Sequence, residues 1–282
     1  MNVLSIQSEV IYGHVGNAAA RFALQRLGHE AWCVPTVLLT SHAAHPGFTG
    51  EATSPALLEK LVAGLEAQGR FAQSNAVISG YLGSPEQAAI VASAVRRVKA
   101  ANASVLYCLD TVFGDDGKVY ARPGVVEAMA ETLLPLADIV TPNAFELATL
   151  TGLPVGNPDE ALVAAERLNR PMVIAKSVPM GTSLGTMLVT PDEVWLASTP
   201  RIKNPPRGAG DLFAALLVGQ LLAGHTASEA LQLAVRSTYH VLERSAGEPE
   251  MHLIAEQQAL AAPPLPPAFK LERIEKRRRV VG

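Results

Sequence analysis

Apolar runs of strand length alternate with stretches of helical period along the chain. The run NVLSI (2–6) predicts a buried strand. NAAARFALQRLG after it predicts a helix with Ala19, Phe22, Ala23 and Leu27 on one side and Gly28 at its end. AWCVPTVLL is strand-like again. Ser54 ahead of Pro55 and Ser84 ahead of Pro85 mark helix starts with proline in the first turn, the second opening SPEQAAIVASAVRRVKAA. AVISG, SVLYCLD, ADIVTPN and PMVIAK predict further strands, and NPDEALVAAERL a helix capped by Asn157. GTMLVT and EVWLAS, joined by the turn PDE, predict an antiparallel pair. Helices over 209–223 and 226–245 follow, then a proline-rich connector, APPLPPAF (262–269). The tail KLERIEKRRRVVG ends the chain, and its Lys276–Arg279 run is expected to be solvated.

Strands alternating with helices imply right-handed crossovers, hence an α/β sandwich of three layers with a mostly parallel central sheet and helices on both faces. No internal repeat divides the chain, so one domain over 1–282 is expected. Ligands of such sheets bind beyond the carboxyl ends of the strands. The polar residues expected there are Ser8, Tyr81, Asp110, Thr141 with Asn143, and Lys176. Loops are polar wherever they meet water, so each residue alone says little, but their convergence on one edge is a site hypothesis.

Composition narrows the partners. The 282 residues are 49% apolar with a formal net charge of −3, which argues against nucleic acid as the main ligand. Two cysteines, Cys33 and Cys108, are too few for a disulfide framework or a zinc site and read as reduced core residues. MNVLSIQS lacks the charged and then apolar regions of a signal peptide, and no stretch reaches the roughly 18 apolar residues of a membrane span. A soluble, cytoplasmic protein is expected.

No GxxxxGK[ST] occurs, and no GxGxxG follows the first strand, so neither a P-loop nor a dinucleotide fold is indicated. Instead Gly208-Ala209-Gly210-Asp211 opens an apolar helix. Glycines admit a ligand close to the backbone, and first-turn N–H groups face outward at the positive end of the helix dipole. This is a cradle for a phosphoryl group, with an acid beside it able to take a proton from an attacking hydroxyl. Helix capping explains the same four residues, so other phosphoryl-transfer groups have to decide. Asn143 and Glu146 share a helical face and suit hydrated Mg²⁺, although a capping arrangement has the same spacing. Asp110 and Asp115 add carboxylates, and Lys176 a cation for nucleotide phosphate.

The stretches LSIQSEVIYGHVGNAAARFALQRLG, SGYLGS, TPNAFELATLTG and GAGDLFAALL resemble the ribokinase-like superfamily, and within it the pyridoxal kinases, over most of the chain. The resemblance implies ATP-dependent phosphorylation of the pyridoxal 5′-hydroxymethyl, with Mg²⁺, in a homodimer; it leaves a monovalent cation requirement open. By position, Asp211 resembles the catalytic base and Gly208, Ala209 and Gly210 the anion hole. Ser8 resembles the ligand of the pyridine nitrogen, and Val15 and Tyr81 match positions lining the vitamin pocket. Asp110, Thr141, Glu146 and Lys176 match nucleotide- and metal-side positions, with Asp115 and Asn143 added to the metal set. Asn204, Pro205, Pro206 and Arg207 resemble the stretch covering the nucleotide.

Three departures stand out: Thr111 replaces a proline, Ala209 a threonine or valine, and Ala43 a substrate-contacting threonine. His42, beside it on the substrate side, is retained and reads as a hydrogen-bonded loop residue. A hydroxymethylpyrimidine kinase is the nearest alternative, but resemblance to that family implies a glycine-rich SGGAG turn after the first strand, which SEVIYGHVGN lacks. A non-catalytic pyridoxal phosphate binder on the same fold is the other.

Overall fold

The computed structural model describes residues 1–275. The strands are β1 (Asn2–Val10), β2 (Glu30–Leu39), β3 (Gly50–Ala52), β4 (Ala76–Ser79), β5 (Leu106–Leu109), β6 (Gly114–Asp115), β7 (Lys118–Val119), β8 (Ile139–Val140), β9 (Met172–Met180), β10 (Ser183–Val189), β11 (Val194–Pro200) and β12 (Lys270–Arg273). The helices are α1 (Asn17–Arg26), α2 (Pro55–Ala67), α3 (Arg70–Gln73), α4 (Pro85–Ala101), α5 (Val125–Ala128), α6 (Ala144–Thr151), α7 (Pro158–Leu168), α8 (Ala209–Leu222), α9 (Ala227–Arg244) and α10 (Gln258–Ala261).

A ten-stranded sheet runs β12-β11-β10-β9-β8-β5-β4-β1-β2-β3. Every pairing from β2 through β1, β4, β5 and β8 to β9 is parallel, and the flanking strands are antiparallel. Helices α2 to α7 cover one face, burying Leu58, Val91, Val95 and Leu147 against Leu4, Ile6 and Leu109. Helices α1, α8, α9 and α10 cover the other, packing Ala23, Leu216, Leu231 and Leu260 against Val3, Ile78 and Ile174. The expected three-layer α/β sandwich with a mostly parallel central sheet is therefore the fold. Helix α8 is buried from Leu212 to Gln220, which explains why its sequence is apolar all round. No helix among the described residues is long and apolar enough to cross a membrane.

Helix starts follow the sequence signals where a side chain caps: Ser54, Asn157 and Thr226 each accept from the backbone N–H three residues on. Ser84 precedes Pro85 as expected, but its hydroxyl makes no cap bond. Helix α1 buries Ala19, Ala20, Ala23 and Leu24, while Phe22 and Leu27 stay partly exposed at the edge of that face. Cys108 is in the core, whereas Cys33 is only partly buried. The start of the mixed-charge tail forms an edge strand that was not expected: Lys270–Arg273 pairs antiparallel with β11. The Lys276–Arg279 run lies outside the described residues.

Candidate active site

Two irregularities in the sheet aim side chains at the site. On β9, Lys176 and Ser177 both lie opposite Thr186 of β10, and Ser177 takes a left-handed φ of 56°. Lys176 is thus not at a strand end, as the sequence suggested, but at a bulge within β9; such bulges re-aim side chains. On β1, Ser8 likewise sits inside the strand, at a register shift that leaves Thr36 and Val37 of β2 opposite it.

The Lys176 ammonium, re-aimed by the bulge, donates to Asp110 Oδ1 at 2.6 Å. Asp110 follows β5 and is fully buried, and Thr141 Oγ1, following β8, donates to the same oxygen at 2.6 Å. The other oxygen, Oδ2, is buried with no hydrogen-bond partner. It is the atom in this cluster with capacity left for a cation. Burial works against the Lys176 charge, but the Asp110 and Glu146 carboxylates outweigh it and hold its pKa above the ordinary value.

Helix α8 points its amino end at this pair. Gly208 adopts φ +96°, and a Cβ there would lie 2.1 Å from the His14 carbonyl oxygen. At Gly210 a Cβ would meet Lys176 Nζ at 3.2 Å and Asp110 Oδ2 at 3.8 Å. The missing side chains therefore leave room beside both groups. Asp211 lies in the first turn, partly exposed, with the Gly16 backbone N–H near enough to favour its charged form. Burial, then the nearby Asp110 charge, pushes its carboxyl up to about 6.

Glu146 is the hub of a second cluster. Its Oε2 accepts from Thr111 Oγ1 at 2.9 Å and from Asn143 N at 2.9 Å. Its Oε1 accepts from the Phe113 amide at 3.1 Å and the Gly114 amide at 3.4 Å. Asn143 Oδ1 accepts from Glu146 N, completing a capping box on α6, and Asn143 Nδ2 donates to Gly114 O. The capping arrangement weighed against a metal pair is thus present, and both oxygens of Glu146 are already engaged. Thr111, which stands where the resembled family has proline, donates one of the four bonds. Burial raises the Glu146 carboxyl to about 7.

The remaining expected residues lie around these clusters. Asp115 is half exposed and faces Arg207 Nη1 at 3.4 Å. Pro206 is buried, Asn204 and Pro205 are exposed, and Asn204 takes φ 48° while its carbonyl accepts from Gly247 N. Ser8 and Val15 are almost fully buried, and Gly16 lies so close to Ser8 that a Cβ would fall 2.2 Å from the hydroxyl. Tyr81 lies beyond β4, with its carbonyl bound by Thr36 Oγ1. Ala43 is exposed on the loop after β2, and His42 beside it lies 3.2 Å from Glu250.

Sequence reading missed Tyr120, at the base of the β6–β7 hairpin. Its ring lies 6.4 Å from that of Tyr81. Its hydroxyl is pushed up in pKa by desolvation and by the facing charges of Glu146, Asp211, Asp110 and Asp115. No motif marks it; only the hairpin carries it to the carboxylates. Gly16 was likewise missed, because its role rests on a backbone N–H.

A family model described as phosphomethylpyrimidine kinase matches residues 33–252. Pyridoxal kinase PdxY of Deinococcus radiodurans is 42% identical, covering 97% of this chain and 97% of that protein. The chain belongs to the pyridoxal kinase family. PdxY of Rubrobacter xylanophilus is 39% identical, covering 97% of this chain and 98% of its own. Among solved structures, the pyridoxal kinase of Leishmania donovani in complex with ADP and pyridoxamine superposes with a TM-score of 0.91. It is 28% identical and covers 97% of this chain and 99% of that one. The clusters at Asp110, Glu146 and Asp211 thus belong to a pyridoxal kinase scaffold.

Proposed function

We propose that this pyridoxal kinase family member transfers the γ-phosphoryl group of ATP to the 5′-hydroxymethyl oxygen of pyridoxal, giving pyridoxal 5′-phosphate and ADP. The observation that carries the reading is Asp211, a carboxyl raised to about 6 at the mouth of a glycine-lined helix end beside Lys176 and Asp110. Such a base is ionised at neutral pH yet retains basicity, and it accepts the hydroxyl proton as the new P–O bond forms. The backbone N–H groups of Gly208, Ala209 and Gly210 face the transferring phosphoryl oxygens, and Ala209 supplies its share without a side chain. The bond to the ADP oxygen breaks, and Lys176 neutralises charge on the nucleotide side. Ser8, Val15, Tyr81, His42 and Ala43 border the vitamin; Thr141, Asn204, Pro205, Pro206 and Arg207 border the nucleotide.

The donor set fits Mg²⁺, which prefers oxygen ligands and keeps several waters. Asp110 would hold it through its unpartnered Oδ2, with Asp115, Asn143 and Glu146 reached through water. When bound, the ion neutralises charge building on the phosphoryl oxygens. The protein's own part is to hold Asp110 against Lys176 and to fix the Asp110 loop through Glu146. A cytoplasmic homodimer completes the reading and rests on the family resemblance.

The test is ADP release with Mg-ATP and each of pyridoxal, pyridoxine, pyridoxamine and hydroxymethylpyrimidine, with Asp211→Asn in parallel. Turnover on pyridoxal that collapses in the variant is the expected result. Turnover on hydroxymethylpyrimidine alone would reassign the substrate, and pyridoxal binding without turnover would make the chain a binder.

A further inference from the structure

Three side chains, none with a proton-transfer or phosphate role and only His42 bordering the proposed vitamin pocket, converge at another place. His42 and His45 lie on the loop between β2 and β3, and Glu250 in the turn after α9. One ligating atom from each falls within 4.8 Å of the others. His45 Nε2 is 2.5 Å, and His42 Nε2 3.2 Å, from Glu250 Oε1. The two imidazole rings lie 4.2 Å apart between centroids. His42 Nε2 is buried and makes no hydrogen bond.

We infer that His42, His45 and Glu250 form a binding site for one divalent transition-metal ion of the Zn²⁺ type, which ties the β2–β3 loop to the turn after α9. Two neutral imidazoles and a carboxylate suit Zn²⁺, and three protein ligands leave a fourth position for water. Tetrahedral ligands at Zn²⁺ bond lengths stand about 3.3 Å apart. The His42–Glu250 pair meets that spacing as it stands. The His45–Glu250 pair, now 2.5 Å apart, has to open by less than about 1 Å to admit the ion.

The surroundings are built for the carboxylate. His14 N donates to Glu250 Oε2 at 2.9 Å, leaving Oε1 for the cluster. A Cβ at Gly13 would lie 2.5 Å from the Glu250 oxygens, so the carboxylate occupies space that a glycine leaves open. Tyr12 sets its ring edge-on against His45, with centroids 5.5 Å apart. Burial, and to a lesser degree His45 and Arg207, disfavour protonation of His42, which leaves its imidazole free to ligate. Arg207 itself faces Asp115. This site shares no residue with the Asp110 cluster, and of its three ligands only His42 also borders the proposed vitamin pocket. It does connect to the anion hole, because the His14 carbonyl lies against Gly208.

The experiment is calorimetric titration of full-length, chelator-treated protein with Zn²⁺, free of nucleotide and Mg²⁺, repeated with Co²⁺ read by its visible absorption. The variants are His45→Ala and Glu250→Gln, with Asp110→Asn as a control for the other carboxylate cluster. Circular dichroism in chelator establishes that each is folded. One equivalent per chain is expected, with a thermal midpoint raised by Zn²⁺. Affinity should fall by more than about tenfold in His45→Ala and Glu250→Gln, since even groups that only orient ligands are worth 10–100-fold. Asp110→Asn should bind as the parent does. No stoichiometric binding, binding unchanged in folded His45→Ala, or binding lost only in Asp110→Asn would each overturn the inference.

Discussion

Lys176 Nζ stands 2.6 Å from Asp110 Oδ1 across the β8–β9 side of the sheet, while Asp110 Oδ2 is left buried without a partner. One half of the carboxylate is satisfied by the protein and the other half is not. The satisfied half is secured by a bulge in which Ser177 adopts a positive φ, a conformation that non-glycine residues rarely take. A strained strand position that keeps a lysine on a buried carboxylate is understandable if the free oxygen has work to do.

Lys176→Met should therefore destabilise the fold as well as weaken ATP use. It leaves Asp110, at 1% side-chain exposure, as an uncompensated buried charge. Removing one partner of such a pair costs roughly 3–5 kcal/mol. Urea unfolding should show that loss, and the double variant Lys176→Met/Asp110→Asn should recover part of it. Equal stability of the single variant and the parent would show that the pair does not support the fold.

Asp211→Asn separates chemistry from folding. With Asp211 as general base, turnover should fall by about 10²–10⁴-fold while nucleotide affinity holds. In the parent, kcat/KM should rise with pH through about 6, the value of this carboxyl, and the variant should lose that limb. The folded carboxyl binds its proton more tightly than the ordinary value of 3.8, so its ionisation works against the folded state. Its contribution is thus neutral below about pH 4 and destabilising as pH rises towards 6, reaching on the order of 3 kcal/mol. Asparagine carries no such penalty, so the variant's stability relative to the parent should increase over that window. Unfolding free energies measured at intervals between pH 4 and 7 check the sign.

The sheet and most helices were legible because their signals are local: alternating runs, Ser-Pro and Asn-Pro starts, and an all-apolar α8. Elements set by tertiary contact were not. β6 and β7 are two residues each, too short for a period to show. β12 reads as a charged tail because an edge strand with one open side needs little apolar character. Within the site, Asp110 and Gly210 lie at a strand end and a helix start as expected, whereas Lys176 reaches them from a bulge inside β9 that the sequence does not show. Glu146 was singled out from the sequence, but its four donors come from two separate segments, 111–114 and Asn143, which no spacing encodes. Tyr120, Gly16 and Glu250 were invisible for the same reason.

Glu146→Gln tests that hub. Four donors converge on its two oxygens, and an amide offers one oxygen and one N–H₂ group. Whichever way it turns, the amide nitrogen faces backbone donors. The Phe113 and Gly114 amides lose their acceptor in one orientation, and the Asn143 amide in the other, where the Thr111 hydroxyl can turn and accept. The cost should be roughly 1–3 kcal/mol for each buried donor left unpaired. Faster hydrogen exchange should appear at the Phe113–Gly114 or Asn143 amides, with a raised KM for ATP because the Asp110 loop loosens. Unaltered exchange at these amides would show that the carboxylate does not hold the loop.

Gly208→Ala and Gly28→Ala form a matched pair that isolates the contact at the helix end. Both glycines have positive φ, +96° and +82°, so alanine carries a similar backbone penalty at each, about 1–2 kcal/mol. They differ in what a methyl group would meet. At Gly28 nothing lies within 4 Å, whereas at Gly208 the His14 carbonyl oxygen would be 2.1 Å away. A backbone oxygen cannot swing aside as a side chain can, so either the β1–α1 loop or the first turn of α8 has to move. Moving the first turn shifts the amides of Ala209 and Gly210 and the Asp211 carboxyl, where displacements of about 1 Å can cost 10²-fold. Gly28→Ala should thus lose a little stability and keep its turnover, while Gly208→Ala loses more stability and most of its kcat. Parallel thermal unfolding and steady-state kinetics decide it. If the two variants lose stability equally and both keep kcat, the close packing of Gly208 on His14 has no part in shaping the anion hole.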